Sequence, residues 1–432
     1  MNKIIVPLLL AGATYFAPTT ENIGVQAAET QSKASVKVPA MRNRVYTQFA
    51  RAQKIADEGN KAEGLAVLDE VKDRIDSLNS YEQAMLWNFY GFMYYGNDDL
   101  ANALASFKKV VAQEAIPASL RLSTLYSLAQ LSMQQQDYKS ALDYLAQWQA
   151  NNTKALTANQ HVMIANAYYL DKNYEKSLVS INNAVELAET KGESIKENWL
   201  ILQRANYYEL KQPEMVAKVL EKMVRLFDKP KYWIQLSGMY GELGQEEKQL
   251  AVLEAAWQAD YLEKSQDIVT LAQLYRFKGA PYKAGKVLSD SIEKGIVVAN
   301  ERHLEMVAQS YIAAKNEDLA VPVLVKASEI ADTGKFDALL AQTYLNTEKW
   351  QKAISSAEKA VERGGIDRLG DMQLILGMAY FNLKDFDNAL LALGTAKNIK
   401  ESSRTAEQWF KYVKREQGEH ERLAMLQGST GE

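Results

Sequence analysis

From Arg42 onward apolar and polar positions follow helical rather than strand spacing, in short segments separated by polar or glycine-bearing turns. One pattern recurs. A small residue in one segment is followed twelve positions later by another small residue in the next. The clearest instance is Trp87-x-x-Tyr90-Gly91-x-x-Tyr94, followed by Ala103 and Phe107. Two antiparallel helices joined by a short turn approach closely only where both carry small side chains at the crossing. Large residues one turn away, such as Tyr90, Tyr94 and Phe107, fill the space around it.

The register fits ten times, at Ala52/Gly64, Gly91/Ala103, Ala129/Ala141, Ala165/Ser177, Ala205/Ala217, Ser237/Gln249, Ala272/Ala284, Ala308/Ala320, Ala341/Ala353 and Gly377/Ala389. Only Gln249 is large. An aromatic residue stands three after the first small position in most units, as Tyr94, Tyr168, Tyr208, Tyr240, Tyr275, Tyr311, Tyr344 and Tyr380. Unit spacing runs from 32 to 40 residues, with the slack in loops near Asn152–Ala158, Lys191–Ser194 and Gly364-Gly365. The array is expected over 41–400. Beyond it, Ala406, Trp409, Phe410 and Val413 share a helical face, which predicts a capping helix over 401–420 that covers the apolar end of the stack. Residues 421–432 are expected to be a tail.

This pattern resembles the tetratricopeptide repeat, whose consensus places Trp, Leu, Gly and Tyr on a first helix and Ala, Phe and Ala on a second over 34 residues. Trp233-x-x-Leu236-Ser237-x-x-Tyr240 and Leu376-Gly377-x-x-Tyr380 match it closely. The resemblance covers about 360 residues. It implies an all-α, right-handed solenoid of about ten helix-turn-helix units that binds other proteins. A narrower resemblance rests on Met41-Arg42-Asn43-Arg44-Val45-Tyr46, Ala50-Arg51-Ala52-Gln53 and Leu86-Trp87-Asn88-Phe89-Tyr90-Gly91. These stretches look like repeat proteins encoded beside TonB energy-transduction systems in gammaproteobacteria. What that implies is periplasmic support of energised uptake across the outer membrane.

Composition agrees with a helical array. The chain of 432 residues would suggest two or three ordinary domains by length, but repeats remove that inference. Eight prolines favour long helical content. The net charge of −4 shows no nucleic-acid footprint. The absence of cysteine removes disulfides, thiolate metal sites and thiol nucleophiles, and suits an oxidising compartment.

The N-terminus reads as a signal peptide, 1–27. Lys3 supplies the basic region, Ile4 to Phe16 the apolar stretch, and Val25-Gln26-Ala27 a peptidase site with cleavage after Ala27. The alternative is an uncleaved anchor, for which the stretch is short. Residues 28–40 are expected to be a flexible lead-in. No later segment is apolar enough to cross a membrane. The mature chain is therefore expected in the periplasm if the source is Gram-negative.

In such an array the first helices line one face, and the residue after each small position should point into it. Those residues are Gln53, Phe92, Gln130, Asn166, Asn206, Gly238, Gln273, Gln309, Gln342 and Met378, of which seven are carboxamides. Carboxamides donate and accept together, which suits the backbone of an extended peptide. Asn88, Tyr95, Tyr126 and Tyr169 lie close by, with the aromatics as anchors. The same amides could equally bridge neighbouring repeats and stay hydrated.

Chemistry is sparse. His161, His303 and His420 are scattered without metal-ligand spacing, and no phosphate loop or nucleophile elbow occurs. Asp98-Asp99 falls in an inter-helix turn, where capping of the next helix is expected. The expectation is a non-catalytic scaffold without cofactor, metal or nucleic acid, whose partner is a protein. The alternative is an accessory factor for export or binding of a polysaccharide or cell-wall glycan.

Overall fold

The computed structural model describes residues 37–428. The signal peptide expected over 1–27, most of the lead-in and the last four residues lie outside them. The helices of ten hairpins follow in order: α1 (Asn43–Asp57) with α2 (Lys61–Lys72), α3 (Ser80–Gly96) with α4 (Leu100–Val111), α5 (Ala118–Gln134) with α6 (Tyr138–Asn151), α7 (Ala158–Leu170) with α8 (Tyr174–Lys191), α9 (Glu197–Glu209) with α10 (Pro213–Phe227), α11 (Pro230–Glu242) with α12 (Glu246–Gln258), α13 (Ser265–Phe277) with α14 (Pro281–Glu293), α15 (Glu301–Ala313) with α16 (Glu317–Ile330), α17 (Lys335–Asn346) with α18 (Trp350–Arg363), and α19 (Leu369–Asn382) with α20 (Phe386–Lys397). A final helix, α21, spans Ser403–Gly428. It runs past the expected end of the cap at residue 420 and through most of the expected tail.

The chain forms two compact units, the first ending at Met223 and the second beginning at Val224, within α10. In unit 1, α1 packs on α2, α3 on α4, α5 on α6 and α7 on α8, and each second helix then packs on the first helix of the next pair. Unit 2 repeats this from α11 to α20. Within each unit these helices pack on their sequence neighbours, the nearest-neighbour stacking of an all-α solenoid.

The hairpins close as the small-residue spacing predicts. Both small positions are buried in every pair except the fifth and sixth. In the sixth, the large Gln249 is accommodated by a glycine on the facing helix. A Cβ on Gly241 would stand 2.7 Å from Gln249 Nε2.

The fifth pair requires a correction. In each hairpin one residue of the turn has left-handed backbone, and in nine of them it lies seven after the first small position and five before the second: Gly59, Asp98, Gln136, Lys172, Gly244, Gly279, Lys315, Glu348 and Lys384. In the fifth hairpin it is Lys211, which places Arg204 and Val216 at the crossing, one residue earlier than Ala205 and Ala217. The aromatic three positions on is thus Tyr207, which is buried, and Tyr208 is 67% exposed. A large residue at the crossing had hidden the register.

The residue after the left-handed one often caps the second helix. Asn60, Asp99, Asp137, Asn173 and Asp385 each accept a bond from the backbone N–H three residues on. Asp99 therefore takes the capping role expected of Asp98-Asp99.

At the C-terminal end of unit 2, Ala406 and Val413 of α21 are fully buried against Phe386, Ala389, Leu393 and Ala396, with Trp409 and Phe410 packed beside them. Lys411, Lys414 and Arg415 remain exposed. No helix among the described residues is long and apolar enough to cross a membrane.

Candidate functional site

The candidate site is the face made by the first helices, and each unit carries its own portion. In unit 1, α1 and α3, and α7 and α9, approach within 8 Å between Cα atoms. Those first helices are thus held side by side, with the second helices packed between successive pairs.

On this face Phe92 is 38% exposed and stands edge-on to Phe107, with centroids 5.2 Å apart. Tyr95 is half-buried against the core cluster of Ala84, Phe107 and Val110. Tyr126 leans on Trp148 at 5.5 Å, and burial raises its phenol above the usual range. Tyr169 stands 5.5 Å from Tyr174; burial raises it too, helped by the charge of Glu209 and the neighbouring Tyr174. Asn88 and Gln130 are half-buried on the same face.

The carboxamides do not bridge repeats in the way considered above. Those with a side-chain bond make it along their own helices. Gln53 Nε2 donates to Asp57 Oδ1 at 2.6 Å, and Asn166 Nδ2 donates to the Val162 carbonyl at 3.0 Å. In unit 2, Gln309 donates to Glu305 at 2.9 Å and Gln342 to Asn346 at 2.8 Å, while Gln273 is exposed. A side-chain amide tied to the preceding or following turn is held in one orientation, with its carbonyl oxygen left for another donor.

Asn206 does not belong to this face. It is fully buried, and its Nδ2 donates to the Leu202 carbonyl at 2.9 Å. The register of the fifth hairpin explains this: Ala205, not Asn206, follows the crossing. Tyr208 occupies the position that Tyr95 and Tyr169 hold in their repeats. The left-handed turn at Lys211, which the backbone and not residue size reveals, sets this register. Bridging between helices of neighbouring pairs falls instead to Gln203, whose Nε2 donates to Asn182 Oδ1 of α8 at 2.8 Å.

Two buried carboxylates brace the array, each at the third residue of a first helix. Glu82 is fully buried and accepts bonds from the Arg42 guanidinium (2.8 and 2.6 Å), the Arg42 N–H (2.8 Å) and the Asn79 N–H (3.0 Å). Burial pushes its carboxyl upward, but these bonds outweigh burial and hold it at about 2. In unit 2, Asp337 accepts from Ser328 Oγ at 2.7 Å and pairs with Arg363 at 2.6 Å and Lys359 at 3.1 Å. These groups are consumed by structure. Among the described residues no group of three or more His, Asp or Glu side chains is placed to hold a metal ion. His161 is half-buried, with burial favouring its neutral form, and the His420 ring lies tilted against Phe386 with centroids 5.4 Å apart.

No protein-family model matches the chain, and no curated protein matches it. Several solved structures are similar in part. One is YrrB, described as a TPR protein with an unusual peptide-binding site, 17% identical over 45% of this chain and 99% of its own, with a TM-score of 0.35. Another is a tetratricopeptide repeat protein from Parabacteroides merdae, 15% identical over 69% of this chain and 99% of its own, TM-score 0.30. A third is MamA from Desulfovibrio magneticus, 18% identical over 43% of this chain and 97% of its own, TM-score 0.35. The helix-pair repeat itself is established by the packing within this chain.

Proposed function

We propose that the chain is a non-catalytic scaffold that binds a protein partner along the first-helix face of unit 1. The observation that carries this reading is the surface itself. Aromatic rings at Phe92, Tyr95, Tyr126 and Tyr169 are only partly covered, and oriented amides stand between them. Partly buried aromatics beside satisfied polar groups are the composition of an interface anchor. Solved proteins with partial similarity to this chain include one described as having a peptide-binding site.

A photo-crosslinking residue at Gln130 tests the proposal, with Val179 on α8 as the control because it is 62% exposed on a second helix. A discrete protein adduct from Gln130 and none from Val179 is expected. Identical adducts from both positions, or none from Gln130, would remove the reading.

The finer assignment we propose is periplasmic, in support of TonB-type energised uptake. It rests on the leader from Lys3 to Ala27 and on the resemblance of the Met41–Tyr46 and Leu86–Gly91 stretches. Recovery of the mature chain from the periplasm with Ala28 at its N-terminus is expected. A chain that keeps its leader and stays in the cytoplasm would refute it.

A further inference from the structure

The corrected register changes the chemistry of the unit 1 face. The surface positions are those one and four residues after each crossing, and three and six before it. Across α1, α3, α5, α7 and α9 they now carry Tyr46, Phe92, Tyr95, Tyr126, Tyr169 and Tyr208, interleaved with Asn88, Gln130 and Asn166. None of them is charged. The nearest charges, Asp57, Glu197, Arg204 and Glu209, flank these positions. In a chain that is 24% charged, this is a selective gap. Unit 2 lacks it: the same positions there hold Lys231, Arg276, Arg302, Glu305, Lys335 and Asp371.

These positions present no cation to pair with an acidic peptide or a terminal carboxylate, and the anions at their edge are few, Asp57 already accepting from Gln53. Their polar groups are phenol hydroxyls and side-chain amides. Both can donate, and the Tyr126 and Tyr169 phenols are kept in the protonated form. The complementary ligand is apolar, uncharged and rich in carbonyl acceptors. Polyproline II meets all three requirements, because its backbone makes no internal hydrogen bonds and proline brings no N–H to be left unsatisfied.

The spacing agrees. Packed helices lie about 8–10 Å apart. A polyproline II helix advances about 9 Å in one turn of three residues. Each first helix of unit 1 carries at least one ring at these positions, from Tyr46 six residues before its crossing to Tyr169 and Tyr208 four after theirs, so the rings offer a broad apolar track. Such a ligand is already extended, so little conformational entropy is lost on docking.

We propose that the first-helix face of unit 1 binds an uncharged, proline-rich segment of a protein partner in the polyproline II conformation. The proposal rests on the protein-binding reading above and names the chemistry of its ligand.

The test uses the full chain with a fluorescein-labelled oligoproline peptide, followed by polarisation. A Gly-Ser peptide of equal length, an acidic peptide and a neutral β-linked oligosaccharide serve as comparators. Expected is saturable oligoproline binding that changes little between low and high salt, because no cation takes part. Tyr208→Ala and Tyr126→Phe should each weaken it about tenfold. Tyr208 is 67% exposed, so its truncation leaves the core intact, and Tyr126→Phe keeps the ring that packs on Trp148. No oligoproline binding, equal binding of the Gly-Ser peptide, indifference to both variants, or preference for the acidic peptide or the sugar would each overturn the proposal. If oligoproline fails while Gln130 still captures a protein, only the ligand chemistry falls. If neither is observed, the scaffold reading falls as well.

Discussion

Glu82→Gln isolates the electrostatic clasp between the first two repeats. Glu82 lies on α3, and its partner Arg42 precedes α1, so their bonds tie the entry to the first repeat against the second. Moving a carboxyl from its ordinary value near 4.5 to about 2 corresponds to about 3 kcal/mol, at about 1.4 kcal/mol for each tenfold change in acidity. The Arg42 side chain is 39% exposed, and solvent screening reduces this to about 1–2 kcal/mol. Because the folded-state value is depressed, the contribution is complete above about pH 4.5 and is lost as pH falls toward 2. Glutamine keeps the size and one acceptor but cannot ionise, and it turns a donor toward the Arg42 N–H groups. Hydrogen exchange of the α1 amides reads local opening at the end of a repeat array, where opening is least costly. At pH 6 those amides should exchange about tenfold faster in Glu82→Gln than in the parent, after correction for intrinsic rates. The difference should shrink steadily below pH 4.5. A difference that stays constant from pH 6 to 2.5, or none at any pH, would refute the charge-based account.

Three other perturbations follow from the packing. Gly91→Ala should destabilise the second hairpin by about 1–3 kcal/mol in urea unfolding, because the added Cβ would stand 2.6 Å from the Phe107 ring. Lys315→Gly and Glu348→Gly should each stabilise by up to about 1 kcal/mol, since both residues hold φ at 58° in a turn where a Cβ is strained. A rise in midpoint denaturant checks this. Asp337→Ala should cost about 1–3 kcal/mol, because it removes the buried acceptor that gathers Ser328, Arg363 and Lys359 while both cations keep access to solvent, and thermal melting of the purified variant measures it.

The sequence by itself determined the helical class, the hairpin as the repeating unit and nine of its ten registers. Twelve-residue spacing between small positions is a local consequence of how two helices joined by a short turn must cross, so it is written directly into the chain. The apolar stripe of Ala406, Trp409, Phe410 and Val413 likewise announced a cap, because an amphipathic helix has only one face to bury. The tertiary structure decided what depends on rotation about a helix axis. One residue of register turns a side chain by about 100°, and that step put Asn206 into the core and Tyr208 into solvent. Composition could not show it, since Ala205 and Ala217 satisfy the small-residue rule as well as the true positions fail it. The left-handed turn at Lys211 fixes the register, and left-handed backbone at a lysine leaves no mark in sequence. The partners of the amides were hidden for the same reason. Whether Gln53, Asn166 or Gln342 reaches across to a neighbour or back along its own helix depends on what stands beside it in space. The chain therefore announced an amide- and aromatic-bearing face, and the fold chose which residues compose it.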